Sequence, residues 1–385
     1  MTKYSHTVGA EGAGVQATTI GHSDLRTWMR TTPGQRSGNP VVVCHDFHQA
    51  LPGYAATRLT ECPELAAEFG VGRVFVKDES DRFGLPAFKI LGVSWAVYQA
   101  LSELLGGLDP WTTLDQMRAA TRPAADHTLL TATAGNHGRA LARVARWLDL
   151  PALILVPSDA SWAAVERIES EGATVRRVEG GYDFAVSEAA TIAERSDRHL
   201  FIQDTAWPGY AQVPEWIVQG YDTLFHEIDV QIAHAGGQAP DVLVVPVGVG
   251  SLMTAALRHA GARQHGRTSV VSVETESAPC VLASLRAGRN VALPTLPTAV
   301  EALNAGKISS IAWPAIRDEV DAAVMVSDGM AARARGRMSD LGVPAGMCGG
   351  ASLAGVAHLL NGRDPAASWS IDANSTVVVV STDGA

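Results

Sequence analysis

The chain is short of what marks several protein classes. Its 385 residues hold four cysteines, Cys44, Cys62, Cys280 and Cys348, and no two form a CxxC pair. That leaves no zinc or dithiol signature and no metal site to expect, and cysteines so spaced fit reduced thiols in the cytoplasm better than a disulfide framework. No run of eighteen apolar residues occurs, so no membrane span is expected. The opening MTKYSHTVGAEG lacks the apolar core of a secretory signal. Positive charge is the scarcer sign, 30 Lys and Arg against 40 Asp and Glu, for a net charge of −10. Without a basic block interleaved with aromatics, nucleic acid is not an expected partner, and the acidic balance speaks for solubility.

What is present suits two or so globular domains with a sizeable core: 46% of residues are hydrophobic and 18% charged. Residues 1–40 are rich in Gly, Thr and Ser and read as an extended or partly disordered N-terminal arm. Strand and helix patterns then alternate. Strands are expected at Arg73–Lys77, Leu153–Val156, Thr174–Val178, Val242–Pro246 and Val377–Ser381. Helices are expected over Phe88–Leu105, Ala140–Trp147, Ala160–Glu171 and Tyr182–Arg195, and from Ser251 onward. Short β-branched runs separated by amphipathic helices imply an α/β fold of parallel-rich sheets with helices on both faces. The strands fall in two clusters, 128–202 and 241–274 plus the C-terminus, which predicts two domains with a ligand between them.

Three segments could carry chemistry. In VPVGVGSLMTAA a strand ends in Gly248, Val249, Gly250, Ser251 and Leu252, and a helix opens. Glycines let backbone N–H groups approach an anion, and a helix N-terminus favours negative charge, so this is a phosphate cup or simply a tight strand–helix turn. Lys89 sits on the apolar face of a helix start, either with its ammonium reaching water or as a desolvated amine of lowered pKa able to form a Schiff base. The segment Thr133, Ala134, Gly135, Asn136, His137, Gly138 reads as an amide-rich turn, either an Asx turn capping a helix or a cradle of N–H groups for a carboxylate. His137 belongs to that turn and by itself does not read as a catalyst. Taken together, a cup, an amine and a cradle are what a pyridoxal phosphate enzyme acting on an amino acid needs.

The order AFK, TAGNHG, GVGSL, STDG resembles the fold-type II pyridoxal phosphate enzymes, the group of tryptophan synthase β, threonine dehydratase and cysteine synthase. The segments KDESDRFGLPAFK, QDTAWPGY and VPEWIVQGYDTL are similar to those of the diaminopropionate ammonia-lyase family, and the likeness runs from about Phe47 to the C-terminus. The resemblance implies a large cofactor-binding domain of residues 41–92 and 226–385 and a small domain of residues 93–225, in a homodimer. It implies that Lys89 is the Schiff-base lysine and the base for the α-proton, and that Asn136 binds the cofactor's 3-hydroxyl. Residues Gly248 to Leu252 would bind phosphate. Ser381, or less well Thr382, would meet the pyridine nitrogen, a neutral partner that suits elimination over transamination. Thr133, Ala134, Gly135 and His137 would line the substrate carboxylate. Asp204 would hold the leaving β-ammonium, unless it is only a cap after a strand.

Two departures from that family stand out. Ala134 occupies the position of an Asp that the family's logic makes the proton carrier for the D-isomer, and alanine carries no proton. Met347-Cys348-Gly349-Gly350-Ala351 replaces a GESGA segment, so an acidic residue near the cofactor becomes Cys348. The expected reaction is α,β-elimination of ammonia from L-2,3-diaminopropionate or a related β-substituted L-alanine, giving pyruvate and ammonia. The alternatives are a β-replacement synthase or an L-threonine/serine dehydratase-like enzyme working through an aminoacrylate. A non-catalytic cofactor-binding protein is the reading from another class.

Overall fold

The computed structural model describes residues 26–31, 34, 42, 44–133, 135–263, 267–361 and 371–384. Among the described residues eleven strands form two sheets. They are β1 (Thr27–Met29), β2 (Leu59–Glu61), β3 (Arg73–Asp78), β4 (Thr128–Ala132), β5 (Ala152–Pro157), β6 (Thr174–Val178), β7 (His199–Phe201), β8 (Val242–Pro246), β9 (Ser269–Thr275), β10 (Ala322–Val326) and β11 (Thr376–Ser381). The larger sheet runs β1-β10-β9-β8-β11-β3-β2 and the smaller β6-β5-β4-β7. The smaller sheet is parallel throughout. The larger is parallel at its centre and closes at both edges with an antiparallel strand, β1 on β10 and β2 on β3.

The valine run of β11 explains why the larger sheet is buried on both sides. Val378 and Val380 belong to one apolar cluster and Val377 and Val379 to another, and all four are fully buried. A period of two sends alternate side chains to opposite faces, so only an all-apolar strand can serve a centre covered twice. Each such valine contributes roughly 1.5–3 kcal/mol relative to exposure.

The helix Lys89–Leu104, termed the lysine helix, packs against the helices Gln212–Gly220 and Asn136–Trp147. The crossing with Gln212–Gly220 brings backbone close to backbone, with the Ile217, Tyr221 and Trp95 side chains beside it. A Cβ on Gly92 would lie 2.8 Å from the Ile217 carbonyl oxygen, and one on Gly220 would lie 2.5 Å from that of Leu91. Two glycines facing each other therefore set the separation of these helices.

Several expectations are revised. The helix expected at Ala140–Trp147 starts at Asn136, so His137 lies in its first turn and not in a preceding loop. Part of the expected N-terminal arm, Thr27–Met29, is an edge strand of the larger sheet; residues 1–25 lie outside the described residues, as does Ala134. Among the described residues no helix is long and apolar enough to cross a membrane.

Candidate active site

Topology gathers the chemistry. β8, β11 and β3 are neighbours, and their C-terminal ends carry the glycine loop, Ser381 and the segment leading to Lys89. β4 and β7 are neighbours, and theirs carry the Thr133–His137 segment and Asp204. Ligands of parallel α/β sheets gather outside those strand ends.

Lys89 and Asp204 meet directly. Lys89 Nζ donates to Asp204 Oδ2 at 2.7 Å. Burial lowers the lysine pKa, but the Asp204 carboxylate outweighs it, and the net shift is upward. The free amine is thus a held ammonium, contrary to the lowered pKa the sequence allowed, because its anionic partner is within contact distance. For Asp204 burial pushes the pKa up, while the Lys89 charge and then His137 pull it down to about 2. The segment after β7 is tied at several points. Ser251 Oγ donates to the Asp204 carbonyl (2.9 Å), Ser309 Oγ accepts from the Ala206 N–H (2.9 Å), and Trp207 stacks on Tyr210 with ring centroids 4.6 Å apart.

His137 is buried. Its Nε2 lies 2.8 Å from the Ile202 carbonyl oxygen, which can only accept, so Nε2 carries a proton. Its Nδ1 has no hydrogen-bond partner among the described residues and lies 3.8 Å from Asp204 Oδ2. Thr133 and Gly135 hold their turn through the Gly135 N–H donating to Thr133 Oγ1 at 3.1 Å. Asn136 is half-buried and borders a crevice toward Ala164, Arg167 and Ile168.

The residues present fit pyridoxal phosphate. Gly250, at φ +99, turns the chain into the helix Ser251–Ala262, whose first-turn N–H groups have no intrahelical acceptor. Ser381 Oγ is buried without a partner among the described residues, as a hydroxyl awaiting a ring nitrogen would be. A Cβ on Gly349 would overlap that same oxygen, so the start of the helix Met347–Asn361 leaves room for it only as glycine. Asp383 accepts from the Cys348 and Gly349 N–H groups (3.2 and 3.0 Å) and caps this helix. Cys348 is buried, and burial followed by Asp383 pushes its thiol well up.

The sequence did not point to the ionic cluster behind the lysine segment. Lys77 Nζ donates to Glu227 Oε2 (2.7 Å), and Arg82 bridges Glu227 Oε1 (2.6 Å) and Glu79 Oε1 (2.7 Å). Tyr54 and the Thr57 N–H add hydrogen bonds to Glu227. Gln203 was also missed. Its side-chain oxygen accepts from Thr131 Oγ1 (2.7 Å) and the Ala132 N–H (3.2 Å), and its amide donates to the Tyr182 hydroxyl (2.9 Å). Its place in QDTAWPGY was the only signal available. A cavity of about 570 Å³ lined by Leu65, Phe69, Met330 and Ala357 lies elsewhere and shares no residue with this site.

A family described as pyridoxal-phosphate dependent enzyme matches residues 50–383. The diaminopropionate ammonia-lyase of Salmonella typhimurium is 32% identical over 361 residues, covering 88% of this chain and 87% of that one. Two crystal structures of the Escherichia coli diaminopropionate ammonia lyase each cover 93% of this chain and 93% of their own. The complex with D-serine has a TM-score of 0.82 at 27% identity, and that with an aminoacrylate-PLP azomethine reaction intermediate 0.79 at 28%. With the strand-end site and these matches in agreement, the chain belongs to the pyridoxal-phosphate dependent enzymes of fold type II.

Proposed function

We propose that the protein is a lyase that eliminates ammonia from L-2,3-diaminopropionate, or a close β-substituted L-alanine, giving pyruvate and ammonia. The observation that carries this reading is the Lys89–Asp204 pair at 2.7 Å. A carboxylate that holds one primary ammonium in a buried site can hold another, the β-ammonium of the substrate, once the lysine is engaged elsewhere. Pyridoxal phosphate, when bound, supplies an aldehyde that takes up a primary amine and a ring that withdraws electrons from the α-carbon.

In this reading Lys89 removes the α-proton. Asp204 orients the β-ammonium so that it departs as ammonia with the C–N electron pair. Asn136, the loop Gly248 to Leu252 and Ser381 hold the cofactor, and the N–H groups of Thr133 to His137 bind the substrate carboxylate. Ala134 offers no proton carrier, so chemistry runs from the Lys89 side and the D-isomer is not turned over. The two sheets support the division into a large unit of residues 41–92 and 226–385 and a small one of residues 93–225. A homodimer in the cytoplasm completes the proposal, and light scattering of the purified protein tests the dimer.

The test of function is pyruvate release from L-diaminopropionate by cofactor-loaded protein. Borohydride reduction with peptide mapping locates the cofactor at Lys89. Cofactor fixed at Lys89 with no pyruvate would sink the lyase reading and leave the cofactor assignment standing.

A further inference from the structure

The imidazole of His137 lies beside the Asp204 carboxylate. Its Nε2–H is committed to the Ile202 carbonyl, so the orientation of the ring is fixed, and Nδ1 is the edge turned to Asp204 Oδ2, 3.8 Å away. Nδ1 is buried and unpartnered among the described residues. Two acceptors at that separation, one anionic and one carrying a lone pair, lack a proton between them. Closing the gap by about 1 Å would give an ordinary charge-assisted hydrogen bond. The charges acting on the ring are Asp204, after β7, and Lys89, on the lysine helix. Tyr182 acts on the same carboxylate from the helix Tyr182–Glu194, and Arg139 and Arg143, on the ring's own helix, are occupied by Glu171. While Lys89 holds Asp204, its ammonium opposes a second positive charge. When Lys89 leaves, that opposition goes and the carboxylate favours a proton on the pair.

We propose that Asp204 and His137 form a one-proton dyad whose occupancy decides which β-group the site can expel. With the dyad empty, the Asp204 carboxylate holds a cationic amine. Lys89 takes the α-proton, the C–H pair becomes the Cα–Cβ double bond, and the C–N pair leaves with nitrogen as neutral ammonia; the dyad is unchanged. With the dyad occupied, the proton on His137 Nδ1 can pass through the Asp204 carboxylate to the substrate, which suits a leaving hydroxyl. The same α-proton goes to Lys89, the dyad proton goes to the hydroxyl oxygen, and the C–O pair leaves with water; the dyad ends empty. His137 is then a positioning residue that acts through Asp204 and sets the preference between an ammonium and a hydroxyl at the β-carbon.

The proposal rests on the lyase reading for its kinetic arm only. In that arm, pyruvate formation from L-serine and from L-diaminopropionate is measured against pH. The serine-to-diaminopropionate ratio rises as pH falls in the wild type and is flat in H137Q, which keeps an N–H donor for the Ile202 carbonyl but has no titrating ring. Substrate ionisation is common to both proteins and cancels. The second arm reads the ring by nitrogen NMR in the full-length chain without cofactor, His137 being assigned by its loss in H137Q. The ring is neutral with the proton on Nε2, its midpoint moves up by about one pH unit or more in Lys89→Met, and it moves down in Asp204→Asn. An unchanged midpoint in both variants overturns the dyad, as does a proton already resident on Nδ1, or a pH-dependent ratio that persists in H137Q. Absence of pyruvate from both substrates defeats the lyase reading while the titration still decides the dyad.

Discussion

Replacing Glu227 with alanine should cost this protein far more than replacing any surface carboxylate. Lys77, Arg82, Glu79 and Glu227 form a closed set of two cations and two anions, each side chain at most 1% exposed. Glu227 takes the Lys77 ammonium at 2.7 Å, two Arg82 nitrogens at 2.6 and 2.8 Å, the Tyr54 hydroxyl at 2.7 Å and the Thr57 N–H at 3.2 Å. Its removal leaves one net positive charge in a dry interior and breaks five hydrogen bonds, although Lys77 keeps the Thr57 carbonyl and Gln231, and Arg82 keeps Glu79 and Thr57 Oγ1. Losing one partner of a buried pair costs about 3–5 kcal/mol, and the uncompensated charge places E227A in that range. The control is E61A, whose partner Arg73 is 2.7 Å away but which is itself 41% exposed, with an expected cost below about 1 kcal/mol. Guanidinium unfolding followed by tryptophan fluorescence compares the two midpoints at a shared slope. Burial raises the Glu227 pKa, but the Arg82 hydrogen bond and charge and then Lys77 bring it down to about 2. A depressed carboxylate stabilises above its unfolded value and loses that contribution as pH falls, so the wild type should weaken between about pH 4.5 and 2 through this group. If E227A unfolds with E61A, the cluster does not anchor the lysine segment and the argument fails.

Other perturbations test other parts of the structure. Gly349→Ala forces a methyl onto Ser381 Oγ; overpacking of about 1–3 kcal/mol there should weaken pyridoxal phosphate about tenfold or more, read by a cofactor absorbance titration. Unchanged affinity would detach Ser381 from the cofactor. His259 is clasped by Asp222 and Asp229, at 2.6 and 2.8 Å. Burial lowers its pKa, but the hydrogen bonds its ring donates to the two carboxylates win and the shift is upward. A raised histidine stabilises below its unfolded value and loses that contribution as pH rises through the folded one. His259→Gln should therefore be less stable than wild type in mild acid and converge with it in mild base, and a gap that does not vary with pH would refute this.

The sequence carried the regular elements well and the side-chain company poorly, for physical reasons. Val242–Pro246 matches its expected bounds because a buried apolar run flanked by turn residues leaves little choice, and Thr174–Val178 because Gly172 and Gly180-Gly181 bound a short segment with β-branched residues. Edge strands Thr27–Met29 and Leu59–Glu61 went unread because three residues without a buried one carry no period. The start of the His137 helix was misplaced because two glycines and an asparagine imitate a turn, whereas its position is fixed by β4 ending at Ala132 and by the imidazole reaching Ile202. Lys77, Glu79 and Arg82 look like a solvated charge run in KDESDR. Their partner Glu227 is 145 residues past Arg82, which local pattern cannot reach. Lys89 was identified, but its protonation was not, since Asp204 lies 115 residues away.

The contact of Gly92 with Gly220 has a consequence for how such a chain can change over time. Neither glycine has a side chain to trade for another, and Ile217, Tyr221 and Trp95 crowd the same space, so neither position can drift by small steps. The first methyl at either one meets a carbonyl of the opposite helix. It would act as a shim between the helix that carries Lys89 and the chain that follows Asp204. Selection on the distance between an amine and a carboxylate would then be felt at two residues that touch neither.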